Sequence, residues 1–143
     1  MNIYHTTDIK DNIYQDALAL RQAVFVVEQR VPETLEIDEL EDKTIHFVGY
    51  KEDEAIATAR ILPLSATKAK LQRMAVRQQA RGQQAGATLI QFIENSLQQQ
   101  GFTTITLGAQ LSAKGFYERL GYHVASEIFL DAGIEHVTME KTL

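Results

Sequence analysis

Two stretches of the chain carry apolar residues at helical spacing, and each begins and ends at suitable residues. The first begins near Asp11, a capping residue, and is expected to end near Gln29, because Pro32 disfavours helix at the residue before it. The second follows a polar loop centred on Arg81 and ends at Gly101. The predicted buried faces are Tyr14, Ala17, Leu18, Leu20, Arg21, Val24, Phe25 and Val27 in the first helix and Gly86, Leu89, Ile90, Ile93 and Leu97 in the second.

Short runs of apolar and β-branched residues predict seven strands, over 2–6, 44–50, 55–62, 71–76, 103–107, 123–130 and 136–141. A polar link over 51–54 and a turn over 131–133 predict two antiparallel hairpins, and a short helix is expected over 112–120. The acidic segment 33–42 lacks helical periodicity and is predicted to be a solvated loop. The order β-α-β-β-β-α-β-α-β-β favours a single α/β domain over residues 1–143, with a mixed sheet covered on both faces.

Composition narrows the function classes. The 143 residues are 45% hydrophobic and 23% charged, with a formal net charge of −5 and no basic stripe, so general nucleic-acid binding is not expected. The chain has no cysteine, which excludes disulfides and thiolate chemistry, and its four histidines are scattered, so we expect no metal site. Without a signal-peptide pattern or a long apolar run, a cytoplasmic protein that does not bind membranes is the expectation.

The loop between the strand over 71–76 and the second helix is the first candidate for chemistry. A strand that enters a glycine-containing turn and then a helix points free backbone N–H groups at one spot, where the helix dipole favours an anion. The run Arg81-Gly82-Gln83-Gln84-Ala85-Gly86 therefore predicts either a phosphate cradle or an ordinary helix start. It lacks the Gly-Lys-Ser/Thr ending of the phosphate-binding loop of nucleoside triphosphatases.

A second motif, Phe116-Tyr117-Glu118-x-x-Gly121-Tyr122, follows about thirty residues later. Together the two motifs resemble those of the GNAT superfamily of acyl-coenzyme A N-acyltransferases, and nearly the whole chain is similar to its ElaA-like branch. Further matching stretches are Leu20-Arg21-x-x-Val24-Phe25-Val26-Val27-Glu28-Gln29, Ala59-Arg60, Arg73-Met74-Ala75-Val76, Ala109-Gln110 and Gly133-Ile134-x-His136-x-x-Met139.

The resemblance implies a GNAT fold, in which a mixed, mostly antiparallel and twisted sheet of six to seven strands is flanked by helices. It also implies that acetyl-coenzyme A is the cosubstrate. The residues expected to bind the cofactor are Met74, Ala75 and Val76 beside the pantetheine arm, Arg81, Gly82, Gln83, Gln84, Ala85, Gly86, Ala87 and Thr88 around the pyrophosphate, and Gln110 and Phe116.

Catalysis by direct acyl transfer needs a proton donor near sulfur and a base for the amine. The resemblance places Tyr117 near the thiol, and a phenol stays protonated at neutral pH because its pKa exceeds that of a thiol. Glu28, His46 and His136 are alternative bases, as are chains of water. Arg60 and Arg73 either orient an acidic substrate group or form interior salt bridges.

Two positions depart from the family pattern: Gln84 stands where a loop glycine is usual, and Gly108 where many members have asparagine. The favoured hypothesis is an acetyltransferase acting on a primary amine of a small molecule or peptide, as a monomer or homodimer. A non-catalytic acyl-coenzyme A-binding or regulatory module and a cofactor-free interaction domain are the alternatives.

Overall fold

A mixed sheet with helices on both faces forms the molecule in the computed structural model, which describes residues 1–32 and 36–143. Its strands are β1 (Asn2–Thr6), β2 (Ile45–Lys51), β3 (Glu54–Pro63), β4 (Lys68–Val76), β5 (Thr104–Gln110), β6 (His123–Val124), β7 (Phe129–Asp131) and β8 (Ile134–Thr142). Its α-helices are α1 (Asn12–Arg21), α2 (Ala85–Gln99) and α3 (Lys114–Arg119). None of the helices in these described ranges combines the length and the apolar character needed to cross a membrane.

The sheet is split near its centre. Its order is β1-β2-β3-β4-β5-β8-β6, with β7 also paired to β8, and every pairing is antiparallel except that of β4 with β5. The parallel pairing ends at Leu71 and Leu107, although β4 continues to Val76 and β5 to Gln110. The two strands therefore separate, and a cleft opens between their carboxyl ends.

The two faces of the sheet carry different helices. The main core forms where α2 and α3 pack on one face and includes Leu107, Ala109 and Tyr117. On the opposite face α1 packs against β3, β2 and β4, where Leu20 and Val24 contact Ala75. The split between β4 and β5 therefore has α1 on one side and α2 on the other.

The first helix begins as predicted, since the Asp11 side chain accepts a hydrogen bond from the Ile13 amide. After Arg21 it continues as a π-helical stretch, Gln22–Glu28, that ends with the Gln29 amide donating to the Val24 carbonyl over 2.9 Å. The wider turn rotates later residues away from the sheet. Val27 is consequently 75% exposed, so its predicted place on the buried face is wrong.

The second helix matches its prediction closely. All five residues of the predicted face are buried. The helix ends in a Schellman motif, in which the Phe102 amide donates to the Leu97 carbonyl and the Gly101 amide to the Gln98 carbonyl. The 3.6-residue period of the sequence therefore determined the buried face of this helix, and Gly101 determined its end.

The predicted strands form, including the β2–β3 and β7–β8 hairpins, but the sheet has eight strands instead of seven. The predicted strand over 123–130 is divided into β6 and β7. Between them, the Ser126 hydroxyl accepts a hydrogen bond from the Thr138 amide at 2.8 Å. In a continuous strand, a backbone carbonyl would accept that hydrogen bond. A serine side chain that competes for backbone groups in this way interrupts a strand.

The prediction of a solvated acidic loop over 33–42 is wrong for part of the segment. Glu36 and Glu41 are buried, and they bind arginines of α1 and β3. We call Arg21, Arg60, Glu36, Asp38 and Glu41 the buried charge network. Its carboxylates accept hydrogen bonds from guanidinium groups of distant elements, and sequence periodicity cannot predict such pairs. Residues 33–35 of the predicted loop lie outside the described residues.

Candidate active site

A cleft of about 1120 Å³ lies at the split between β4 and β5. Its walls come from the end of β4, the loop and first turn of α2, α3, the β7–β8 hairpin and the π-helical end of α1. Among the described residues, no strand pairs with the end of β4 on the side facing β5, so its backbone groups on that side are available to an extended ligand. This is the arrangement by which sheets bind an added strand or an amide-containing chain.

A β-bulge shapes the β4 wall. Opposite Ala59 of β3, two residues of β4, Arg73 and Met74, occupy the place of one, and Arg73 has a φ of 53°. The extra residue bends the strand and increases its twist, as bulges do beside active sites. The bend carries Met74 to Val76 away from β5.

The first turn of α2 presents unpaired donors to the cleft. The Thr88 amide is the first to bond within the helix, to the Gln84 carbonyl at 3.0 Å, so the amides of Ala85, Gly86 and Ala87 have no intrahelical acceptor. No side chain of the described residues caps this helix end. These residues line the cleft, and the helix dipole adds partial positive charge there.

Gln84 and Gly86 determine the shape of this turn. Gln84 is in the left-handed conformation, with φ 63° and ψ 18°, which costs a residue with a side chain about 1–2 kcal/mol. This conformation accounts for the usual glycine at that position. Gly86 brings the helix close to its neighbours, since a Cβ there would lie 3.1 Å from Met74 Cε and 3.3 Å from Phe116 Cζ.

The α1 end bridges both arms of the split. Glu28 accepts two hydrogen bonds from the Arg81 guanidinium, at 2.6 and 2.9 Å, and Arg81 Nε donates to the Val76 carbonyl. The next residue, Gln29, accepts a hydrogen bond from Gln110 at the end of β5. The hydrogen bonds from Arg81 lower the pKa of Glu28, which makes its carboxylate a weaker base.

Tyr117 is placed by a second Schellman motif. The Tyr122 amide donates to the Tyr117 carbonyl and the Gly121 amide to the Glu118 carbonyl, with Gly121 at φ 95°, so the two tyrosine rings pack 5.8 Å apart. The Tyr122 hydroxyl donates to Glu94, whereas the Tyr117 hydroxyl has no hydrogen bond to a described residue. Tyr117 lines the cleft, and burial raises its pKa to about 12.

His136 lies in the same cleft, on β8 opposite Gln110 of β5. Its Nδ1 is 2.7 Å from the Ile134 carbonyl oxygen, which can only accept, so Nδ1 carries the proton and donates it. Nε2 is then left with its lone pair, as a general base requires. His46, in contrast, lies outside the cleft, where Nε2 hydrogen-bonds the Glu41 carbonyl and burial lowers its pKa.

The structure brings most of the sequence-predicted site residues together. Those that line the cleft are Glu28, Met74, Ala75, Val76, Arg81, Gly82, Gln84, Ala85, Gly86, Ala87, Gln110, Phe116, Tyr117 and His136. Gln83 and Thr88 do not line it. Phe129 also lines the cleft, but the sequence prediction missed it. Its neighbours His136 and Gly108 lie on other strands, so no local pattern marks it.

Comparison with known proteins agrees with this geometry. The family model for the acetyltransferase (GNAT) domain matches residues 9–143. The N-acetyltransferase YjcF of Bacillus subtilis is 38% identical, with 89% of this chain and 91% of YjcF covered. ElaA of Escherichia coli is 30% identical over 96% and 92% of the two chains.

Solved structures give the same result. The crystal structure of Escherichia coli ElaA has a TM-score of 0.85 at 28% identity, covering 98% of this chain and 97% of that one. An acyl-CoA N-acyltransferase from Pseudomonas aeruginosa has a TM-score of 0.86 at 25% identity, with 98% of both chains covered. The chain belongs to the GNAT acetyltransferase family. It is an acyltransferase with the GNAT fold, as the two sequence motifs predicted.

Proposed function

We propose that the protein transfers an acetyl group from acetyl-coenzyme A directly to a primary amine. The observation that carries the proposal is the position of Tyr117 and His136 in one cleft. Among residues 1–32 and 36–143, the protonated hydroxyl of Tyr117 has no hydrogen-bond acceptor, and Nε2 of His136 keeps its lone pair when Nδ1 carries the proton. An acid and a base that face a common space are what acyl transfer to nitrogen requires.

The residues present fit coenzyme A in three respects. The unpaired edge of β4 suits the amides of a pantetheine arm, and the free amides of Ala85, Gly86 and Ala87 suit a pyrophosphate. Gly86 keeps the helix start close to Met74 and Phe116, which leaves the turn open on its cleft side. When bound, acetyl-coenzyme A supplies an activated thioester carbonyl.

The protein's own groups would manage the two protons of the reaction. His136 Nε2 takes a proton from the amine as a bond forms between the amine nitrogen and the acetyl carbon. The bond between that carbon and sulfur breaks, and the Tyr117 hydroxyl donates a proton to the leaving thiolate. The products are an N-acetyl amide and a free thiol, after which Tyr117 recovers a proton from solvent and His136 releases one.

The Tyr117→Phe variant tests the proposal, because it removes the acid and keeps the ring. We expect kcat for free thiol release from acetyl-coenzyme A, measured over a panel of primary amines, to fall by about 10²-fold or more. Stabilisation of the variant by acetyl-coenzyme A in thermal unfolding should stay near that of the wild type.

Tyr122→Phe is the matched control, since it removes a hydroxyl from the neighbouring ring of the same motif. That hydroxyl is bonded to Glu94 and lies outside the cleft, so stability should fall while kcat stays within a few-fold of wild type. Full activity of Tyr117→Phe, or the absence of turnover with every amine tested, would contradict the proposal.

A further inference from the structure

The β7–β8 wall of the cleft is aromatic. Phe129 pairs with His136 across the hairpin, and their rings stack with centroids 5.8 Å apart and an interplanar angle of 25°. Phe129 also reaches across β8 to Gly108 of β5, where a Cβ would lie 3.5 Å from Phe129 Cζ. The ring lines the cleft and is 38% exposed, so part of its surface is free to contact a ligand.

This aromatic wall lies on the α1 side of the split. Leu107 and Ala109 are buried in the core beneath α2, so Gly108 and Gln110 face the other way, and Gln110 bonds to Gln29 at the α1 end. The free amides of α2 belong to the opposite side. A nucleophile that approaches His136 from the α1 side therefore passes the Phe129 ring.

Gly108 gives the ring its space. A side chain longer than a methyl group at this position would point into the Phe129 ring, since even a Cβ would be in van der Waals contact with it. An asparagine at this position would place an amide where this protein has a phenyl ring. Glycine at position 108 therefore leaves room for an aromatic surface beside His136, the proposed general base.

We propose that Phe129 and Gly108 form an acceptor subsite that selects primary amines carrying an aromatic group on a short linker. The inference rests on the proposed function and names its substrate class. An aromatic acceptor stacks on Phe129, while Phe25 and Val31 of the facing α1 side line the same cleft with apolar surface. The carboxylate of Asp131, exposed at the rim, attracts the ammonium form before it loses its proton.

The test compares 2-phenylethylamine with ethanolamine, which has the same ethylamine part without a ring. We expect wild-type kcat/KM to favour 2-phenylethylamine by tenfold or more. Phe129→Ala and Gly108→Asn should each lower kcat/KM for 2-phenylethylamine about tenfold, and change that for ethanolamine less than threefold.

Leu130→Ala is the matched control, because Leu130 is the adjacent apolar residue of β7, is 70% exposed and does not line the cleft. It should leave both values unchanged. Calorimetric titration of 2-phenylethylamine in the presence of coenzyme A gives a readout without turnover, and its affinity should fall in Phe129→Ala and Gly108→Asn.

The outcomes separate this inference from the proposed function. Turnover of both amines with equal kcat/KM, or an equal loss for both in Phe129→Ala, would overturn the aromatic subsite and leave the acetyltransferase proposal intact. If Phe129→Ala lowers kcat/KM equally for both amines and also shifts the pH profile of kcat/KM, Phe129 positions His136 instead of binding the acceptor. The absence of turnover with any amine would overturn both proposals.

Discussion

The buried charge network and the Glu28–Arg81 pair both join arginine to carboxylate, with similar geometry and different surroundings. In the buried charge network, Arg21 and Arg60 bind carboxylates at 2.6 to 2.8 Å, and both arginine side chains are 1% exposed. In the loop over residues 77–84, which we call the cofactor loop for its place in the proposed coenzyme A site, Arg81 binds Glu28 at 2.6 Å, with side chains 40% and 36% exposed. The distances are alike, but the energetic consequences are not.

The buried charge network can hardly rearrange. Glu41 accepts hydrogen bonds from Arg21, Arg60, Tyr14 and the Asp38 amide, so α1, β3 and the acidic segment converge on one carboxylate. Burial opposes its ionisation, yet the hydrogen bonds and charge of Arg21 leave its pKa below the usual range. Removal of one partner would leave buried charge uncompensated, and the network therefore fixes the acidic segment against α1 and β3.

The Glu28–Arg81 pair can open at small cost, because water replaces each partner. It joins the α1 end to the loop that would hold the pyrophosphate. The two ion-pair regions indicate a rigid frame that joins α1 to β3 and an adjustable loop before α2. Loops that admit ligands are commonly the less stable parts of a fold.

The largest effect is expected from Glu41→Gln, which keeps the shape of the side chain and removes its charge. Because two buried guanidinium groups lose their shared carboxylate, the free energy of unfolding should fall by about 3–5 kcal/mol. Urea denaturation followed by circular dichroism measures the change. Glu39→Gln, an exposed residue of the same segment, should be nearly neutral, and an equal effect of the two variants would contradict a structural role for the network.

A smaller effect, of opposite sign, is expected from Gln84→Gly at the cofactor loop. Glycine adopts the left-handed conformation of residue 84 without a Cβ clash, so the variant should be more stable by about 1 kcal/mol. Thermal unfolding measures the gain, and the shift caused by coenzyme A should grow as the side chain leaves the cleft. Gln83→Gly, where φ is not positive, should destabilise, so a gain in both variants would refute the strain argument.

The sequence predicted α2 and the Tyr117 turn better than the acidic segment and β7, and the physical reason is the range of the contacts. The end of α2 and the Tyr117 turn are made by residues within a few positions of each other, so the glycines at 101 and 121 determine them. The buried charge network joins Arg60 to Asp38 and Glu41 from different elements, and no local period records such pairs. Phe129 was missed for the same reason, because its contacts lie on two other strands.

The smallest effect on stability is expected from Glu28→Gln, which removes the exposed partner of Arg81. Since both groups are solvated, the unfolding midpoint should not change measurably. Because the freed Arg81 guanidinium adds positive charge beside the α2 amides, coenzyme A should bind roughly two- to fivefold more tightly at low salt. This gain in affinity should be lost at ~1 M salt, where the charges are screened. Calorimetric titration at several salt concentrations measures this, with Glu39→Gln as the variant of equal charge change. If the affinity falls instead, Glu28 holds Arg81 in its binding position, and the cofactor loop is as fixed as the buried charge network.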